Sequence, residues 1–195
     1  WMDRNYTTAI KGFSIWTVVW AHSGAMLSVG KIQFVAGIGV ALFLMCSGYG
    51  LEISYEKNGL ISFWKKRLLG VCLPFWIVEL VGLLATGVFS IKTYLLDFCF
   101  LKSATSYGWF MTYIVICYLI FYAVKRLIKD VKIQMLALFG AFAIWFVLES
   151  MFFANPDMPF LRARQMLSFP VGVLLAANKN QIDRTLTKTK NILIL

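Results

Sequence analysis

The chain has 195 residues, of which 60% are hydrophobic, 16% aromatic and only 14% charged, and its net charge is +10. A water-soluble domain is about half apolar and about a quarter charged. These proportions, with a mean hydropathy of +0.75, exclude a disordered chain, a secreted disulfide scaffold and nearly every soluble class, so the bilayer is the expected solvent. The basic excess does not point to nucleic acid, because Lys and Arg sit in short clusters between apolar runs, where membrane proteins carry their orientation signals.

Six segments nearly free of charge follow one another: 12–30, 32–51, 68–91, 103–124, 133–156 and 165–177. A spanning helix needs about 20 apolar residues, which the first five supply and the sixth approaches. The runs are continuous rather than alternating, so helices are expected and not barrel strands. The fold class is therefore all-α: a polytopic integral membrane helical bundle of about six transmembrane helices, with the start of a seventh at Asn191–Leu195. Trp1 at one end and the apolar run at the other suggest a segment of something longer. With the N-terminus inside, fourteen Lys and Arg fall inside and five (Lys31, Lys92, Lys102, Arg162 and Arg164) outside. That bias puts both ends of the chain on the cytoplasmic side of the cell (inner) membrane. Two stretches look interfacial: 60–69, which mixes Phe63 and Trp64 with Lys65, Lys66 and Arg67, and 93–108, with Tyr94, Phe98, Phe100 and Tyr107 around Asp97 and Lys102.

Ionisable residues inside a span are costly and mark functional candidates. Lys11 and His22 are eleven residues apart, three helical turns plus about 20°, so they share a face with about 16 Å between them. Lys11 falls at the cytoplasmic edge and His22 somewhat past mid-depth. A neutral imidazole can take a proton from a hydroxyl, the work of a general base; the bland alternative is a His that only bonds a neighbouring helix. Glu79, at comparable depth in the third span, either orients that imidazole as in an acid–His dyad or is protonated and bonds a Ser or Thr of another helix. Glu149 lies near the outer end of the fifth span, where water is within reach.

Gly37, Gly39, Gly48 and Gly50 in the second span suit close helix packing. Ser47 begins the stretch Ser47-Gly48-Tyr49-Gly50 at the cytoplasmic end, where backbone can line a cavity. The trio Lys65-Lys66-Arg67 either holds a phosphorylated ligand or anchors to anionic lipid. Cys46, Cys72, Cys99 and Cys117 have no C-x-x-C spacing and read as small hydrophobes, and with one His and scattered carboxylates no metal site is expected.

In order, these pieces resemble the membrane-bound acyltransferase 3 family of bacterial cell-surface O-acyltransferases. The opening motif, a basic residue followed by ten residues and a His, is matched by Lys11 and His22. The Ser-Gly-aromatic motif is matched at Phe43, Ser47, Gly48 and Tyr49, and the basic loop ending in Pro-aromatic by Lys65-Lys66-Arg67 and Pro74-Phe75. Trp109-Phe110-Met111 is similar to the motif that opens a later span. Lys11 stands where the family usually has Arg, keeping charge without the bidentate fork. Gly70 stands where the second Arg of Arg-x-x-Arg is expected, and Lys65 or Lys66 is the candidate replacement.

The resemblance implies a single acyltransferase 3-like domain over 1–195, incomplete at its C-terminal end. It implies transfer of an acyl group, acetyl by default, from cytoplasmic acyl-CoA (acetyl-CoA) to a hydroxyl of a cell-surface carbohydrate or similar acceptor. No cofactor would be bound permanently, and the partners would be the lipid bilayer, acyl-CoA and the acceptor. His22 would be the base or a transient acyl carrier, Lys11 would stabilise developing negative charge or the CoA thioester entrance, and Lys65, Lys66 and Arg67 would hold CoA phosphates, with Ser47 beside the donor. Rival expectations are a non-catalytic acyltransferase-like membrane module and a small transporter relaying protons through His22 and Glu79.

Overall fold

A computed structural model describes residues 4–26, 33–101, 104–105, 108–152 and 165–193. Nine helices and no strand occur among the described residues: α1 Arg4–Met26, α2 Gln33–Asn58, α3 Phe63–Arg67, α4 Leu73–Ala85, α5 Ile91–Phe98, α6 Trp109–Leu127, α7 Val131–Phe152, α8 Ser168–Ala177 and α9 Lys179–Leu193. They fall into two compact units, one of residues 1–59 and 130–195, the other of residues 60–129.

Among the described residues, four helical runs are long and apolar enough to cross a bilayer: Val35–Asn58, Phe63–Ala85, Trp109–Leu127 and Val131–Met151. The other two expected spans differ for physical reasons. α1 has the length, at 23 residues, but its Thr7, Thr8, Ser14, Thr17 and His22 make it too polar to join that group. α8 has only 10 residues, about 15 Å of rise and half the hydrocarbon thickness. Of the run at 191–195, Asn191–Leu193 close the polar helix α9, and the last two residues lie outside the described ones. So do Lys31, Lys102, Arg162 and Arg164, and with them the ends of the expected first and fifth spans.

In the first unit α2 is the central helix, packed on α1 along one side and on α8 along the other. Both crossings depend on glycine. A Cβ on Gly39 would overlap the Thr17 side chain and approach the Ser14 carbonyl oxygen to 2.7 Å. The two hydroxyls tolerate this dry seam because each is satisfied within α1: Ser14 Oγ donates to the Ile10 carbonyl at 2.7 Å and Thr17 Oγ1 to the Ser14 carbonyl at 2.8 Å. At the α2–α8 crossing, a Cβ on Gly48 would overlap the Phe169 carbonyl oxygen, and one on Gly172 the Met45 carbonyl oxygen. Backbone therefore lies on backbone in both directions. Cys46, Tyr49 and Ala176 close this seam. Just before α8, Gln165 Nε2 donates to the Gly37 carbonyl at 3.0 Å. α7 presents Gln134, Leu138, Phe142 and Glu149 as its buried face, with Phe142 stacked on Phe169 of α8 at 5.7 Å. Glu149, expected to reach water, is thus 7% exposed.

In the second unit the basic segment is not a separate interfacial helix. α3, a π-helical turn Leu68–Cys72 and α4 form one run from Phe63 to Ala85. Pro74 has no N–H to donate and its ring crowds the carbonyl four residues back, so the widened turn just before it lets the helix continue. The run stops at Gly87, whose φ of 69° only glycine adopts cheaply, with Gly87 N–H donating to the Leu84 carbonyl. α6 packs Tyr118, Phe121 and Tyr122 on the start of this run: Phe63 stacks on Phe121 at 6.1 Å and 11°.

Candidate active site

α1 is unbroken from Arg4 to Met26, so the eleven-residue interval between Lys11 and His22 is three true helical turns. The seam toward α2 is made by Ser14, Thr17 and Ala21, all nearly fully buried. Lys11 and His22 both fall about 60–80° from Ser14 around the helix, on the same flank of that seam. Lys11 is half-buried, its Nζ 5.9 Å from the centroid of the Phe43 ring, while His22 is exposed. Phe43 is one turn before Ser47, so Lys11 is brought to the Ser-Gly-aromatic stretch of α2. Ser47 itself is buried, and its hydroxyl donates to the Phe43 carbonyl at 2.9 Å. Its proton is therefore committed to its own helix, and only its oxygen can take a further hydrogen bond.

The remaining candidates belong to the second unit. Lys65 and Lys66 are exposed at the start of the Phe63–Ala85 run. Arg67 differs from both. Its guanidinium lies over the rings of Phe63 (5.8 Å) and Tyr118 (5.7 Å), it donates to the Tyr118 hydroxyl oxygen, and its buried Nε has no hydrogen-bond partner. Gly70 is exposed and open, with nothing within 4 Å of where a Cβ would be. Lys125, counted only toward orientation at the sequence level, is buried with its Nζ 5.6 Å from the Phe121 ring.

Glu79 is buried, and the Thr105 hydroxyl, from the segment between α5 and α6, donates to its carboxylate. The other carboxylate oxygen, Oε1, has no partner. Asp97 of α5 lies close enough to Glu79 to repel it. Asp97, expected at an outer interface, is only 2% exposed, and its Oδ1 accepts the Ala104 N–H at 3.2 Å. Burial pushes the Asp97 carboxyl above the usual carboxylate range, and the Ala104 hydrogen bond opposes that shift.

Two buried carboxylates therefore escaped sequence reasoning. Asp97 is flanked by Leu95, Leu96 and Phe98, so local composition gave no sign of which way it faces. Glu52 was lost because the second span was ended at Leu51; α2 continues to Asn58, and Glu52 is 3% exposed. Its signal was available: Met45, Tyr49 and Glu52 are spaced four and three residues apart, the period of one helix face.

A family model described as an acyltransferase domain, that of the acyltransferase 3 family, matches residues 4–195. No curated protein and no solved structure matches the chain. The match runs through every helix above, from the first residue of α1 to the end of α9: the protein belongs to the acyltransferase 3 family.

Proposed function

We propose that this membrane acyltransferase moves an acyl group, acetyl by default, from cytoplasmic acyl-CoA to a hydroxyl of a cell-surface carbohydrate or similar acceptor. The observation that carries the proposal is the flank of α1 shared by Lys11 and His22, one cation and one imidazole at a fixed three-turn interval. In this reading His22 takes the proton of the acceptor hydroxyl as its oxygen attacks the thioester carbonyl. Lys11, about 16 Å along the helix at the cytoplasmic edge, attends the entrance for the negatively charged CoA thioester. The C–S bond then breaks, the CoA thiolate recovers the proton from His22, and the acyl ester remains on the acceptor. Lys65, Lys66 and Arg67 serve the donor phosphates. Ser47, its own proton engaged, serves only as an acceptor for an amide N–H of the donor. The 14:5 distribution of cations supports cytoplasmic ends and an inner-membrane location.

The test uses the full-length chain in sealed membrane vesicles of known sidedness, with labelled acetyl-CoA and cell-surface polysaccharide. Transfer is expected only when the donor meets the cytoplasmic face. His22→Ala is expected to lower it by about 10²–10⁴-fold, the usual worth of a general base, with insertion unchanged. Near-normal turnover in that variant would remove His22 from the chemistry. Absence of any transfer by the wild type would favour a non-catalytic membrane module of the same family.

A further inference from the structure

The most unusual polar chemistry outside the Lys11–His22 flank lies in the second unit. Besides Arg67 Nε, three buried side-chain atoms there have no hydrogen-bond partner: Trp76 Nε1, Glu79 Oε1 and Asp97 Oδ2. A buried polar atom left unpaired costs about 1–3 kcal/mol, so three together need an explanation. They are neighbours. Trp76 and Glu79 are one turn apart on α4, and the indole of Trp76 stacks on Phe98, the residue after Asp97, with ring centroids 4.1 Å apart. Phe100 lies against the same indole at 5.8 Å, and the Tyr94 hydroxyl donates to the Trp76 carbonyl at 3.2 Å, tying α5 to α4. Asp97 is 2% exposed and Glu79 9%, yet each has only one oxygen satisfied, by Ala104 and Thr105 respectively.

We propose that Trp76, Glu79 and Asp97 form a subsite for a hydroxyl-rich ligand of the carbohydrate class. The donor and acceptor balance selects that chemistry. One N–H and two carboxylate oxygens are complementary to a run of hydroxyls, each of which can accept from the indole or donate to a carboxylate. A bare cation would suit the carboxylates but not the indole N–H. A phosphate would suit the N–H but be repelled by both carboxylates. The proposal rests on the acyl-transfer reading only in taking this ligand to be the acceptor.

The experiment places the full-length chain in lipid nanodiscs, free of sugar-headed detergent, on an array of neutral, amino and acidic glycans. The wild type is expected to retain a defined subset. Asp97→Asn keeps shape but replaces one acceptor by a donor, and is expected to weaken that retention by tenfold or more. Trp76→Phe keeps the ring but removes the N–H, and is expected to weaken it several-fold. Binding of CoA to the same nanodiscs should not change, which shows that both variants are folded. Retention of no glycan by the wild type, or equal retention by Asp97→Asn, overturns the proposal; equal retention would mean that a shared proton or a water satisfies the two carboxylates. Glycan binding without acyl transfer would keep the subsite and defeat the transferase reading. Transfer to carbohydrate with an unchanged acceptor KM in Asp97→Asn would do the reverse.

Discussion

Adding one methyl group to Gly172 tests the packing that presents the Ser47 stretch. The new Cβ would overlap the Met45 carbonyl oxygen and lie 2.8 Å from its carbonyl carbon and 3.0 Å from its Cα. All three obstacles are main-chain atoms in the middle of α2, so no side chain can swing aside. Ordinary carbon contacts are about 3.5–4.0 Å, so α8 must retreat by about 1 Å, and a gap of that size forfeits a quarter to a half of each contact's attraction along the seam. Overpacking of this kind costs about 1–3 kcal/mol. For a chain of this size that corresponds to a fall of about 2–12 °C in Tm, read by thermal unfolding of purified Gly172→Ala. Gly48→Ala meets the Phe169 carbonyl and should cost as much, while the double variant should cost less than the sum, because one separation of α2 from α8 accommodates both methyls. Gly12→Ala and Gly140→Ala are the controls: both are helical with nothing within 4 Å, and they should be neutral or stabilising by up to about 1 kcal/mol. If Gly172→Ala melts with the controls, α2 and α8 do not cross at glycine and the reasoning fails.

Two further outcomes follow from the second unit. Burial raises the Asp97 carboxyl in the folded protein above its unfolded value of about 3.9, so the native state binds more protons between the two values. The stability this group contributes is complete below the unfolded value and is lost as pH rises through the folded one; wild-type Tm should therefore fall more steeply than that of Asp97→Asn from about pH 4 upward, and parallel curves would refute it. Gly70→Arg tests the phosphate role without disturbing packing, since Gly70 is open whereas Arg67 is built into the Phe63–Tyr118 contact; KM for acyl-CoA should drop about threefold to tenfold with kcat unchanged, and an unaltered KM in properly inserted protein would remove these cations from donor binding.

The amino-acid sequence by itself determined the solvent, the helical class and the family, because these rest on quantities summed along the chain or on short fixed intervals. Long uncharged runs allow nothing but helices in lipid, and the Lys11–His22 spacing survives intact because α1 is continuous. Sequence also flagged Gly39 and Gly48 as packing glycines, but not that Gly172 answers Gly48 from α8, since which backbone meets which is fixed only when two helices cross. Boundaries were weaker where a local rule was overridden. The π-turn before Pro74 carries the helix back to Phe63, so Lys65, Lys66 and Arg67 begin a helical run of membrane-spanning length instead of preceding it. Burial of single charged residues was out of reach for a more general reason. Asp97 is a lone carboxylate among apolar neighbours, while Arg67 and Lys125 sit in short basic clusters, and in either setting composition is the same whether the group faces outward or inward. What decides is the partner across the contact: Ala104 for Asp97, the Phe121 ring for Lys125, and Phe63 with Tyr118 for Arg67. Those partners are 7, 4, 4 and 51 positions away, and a long-range neighbour such as Tyr118 exists only once α6 has packed on the start of the Phe63–Ala85 run.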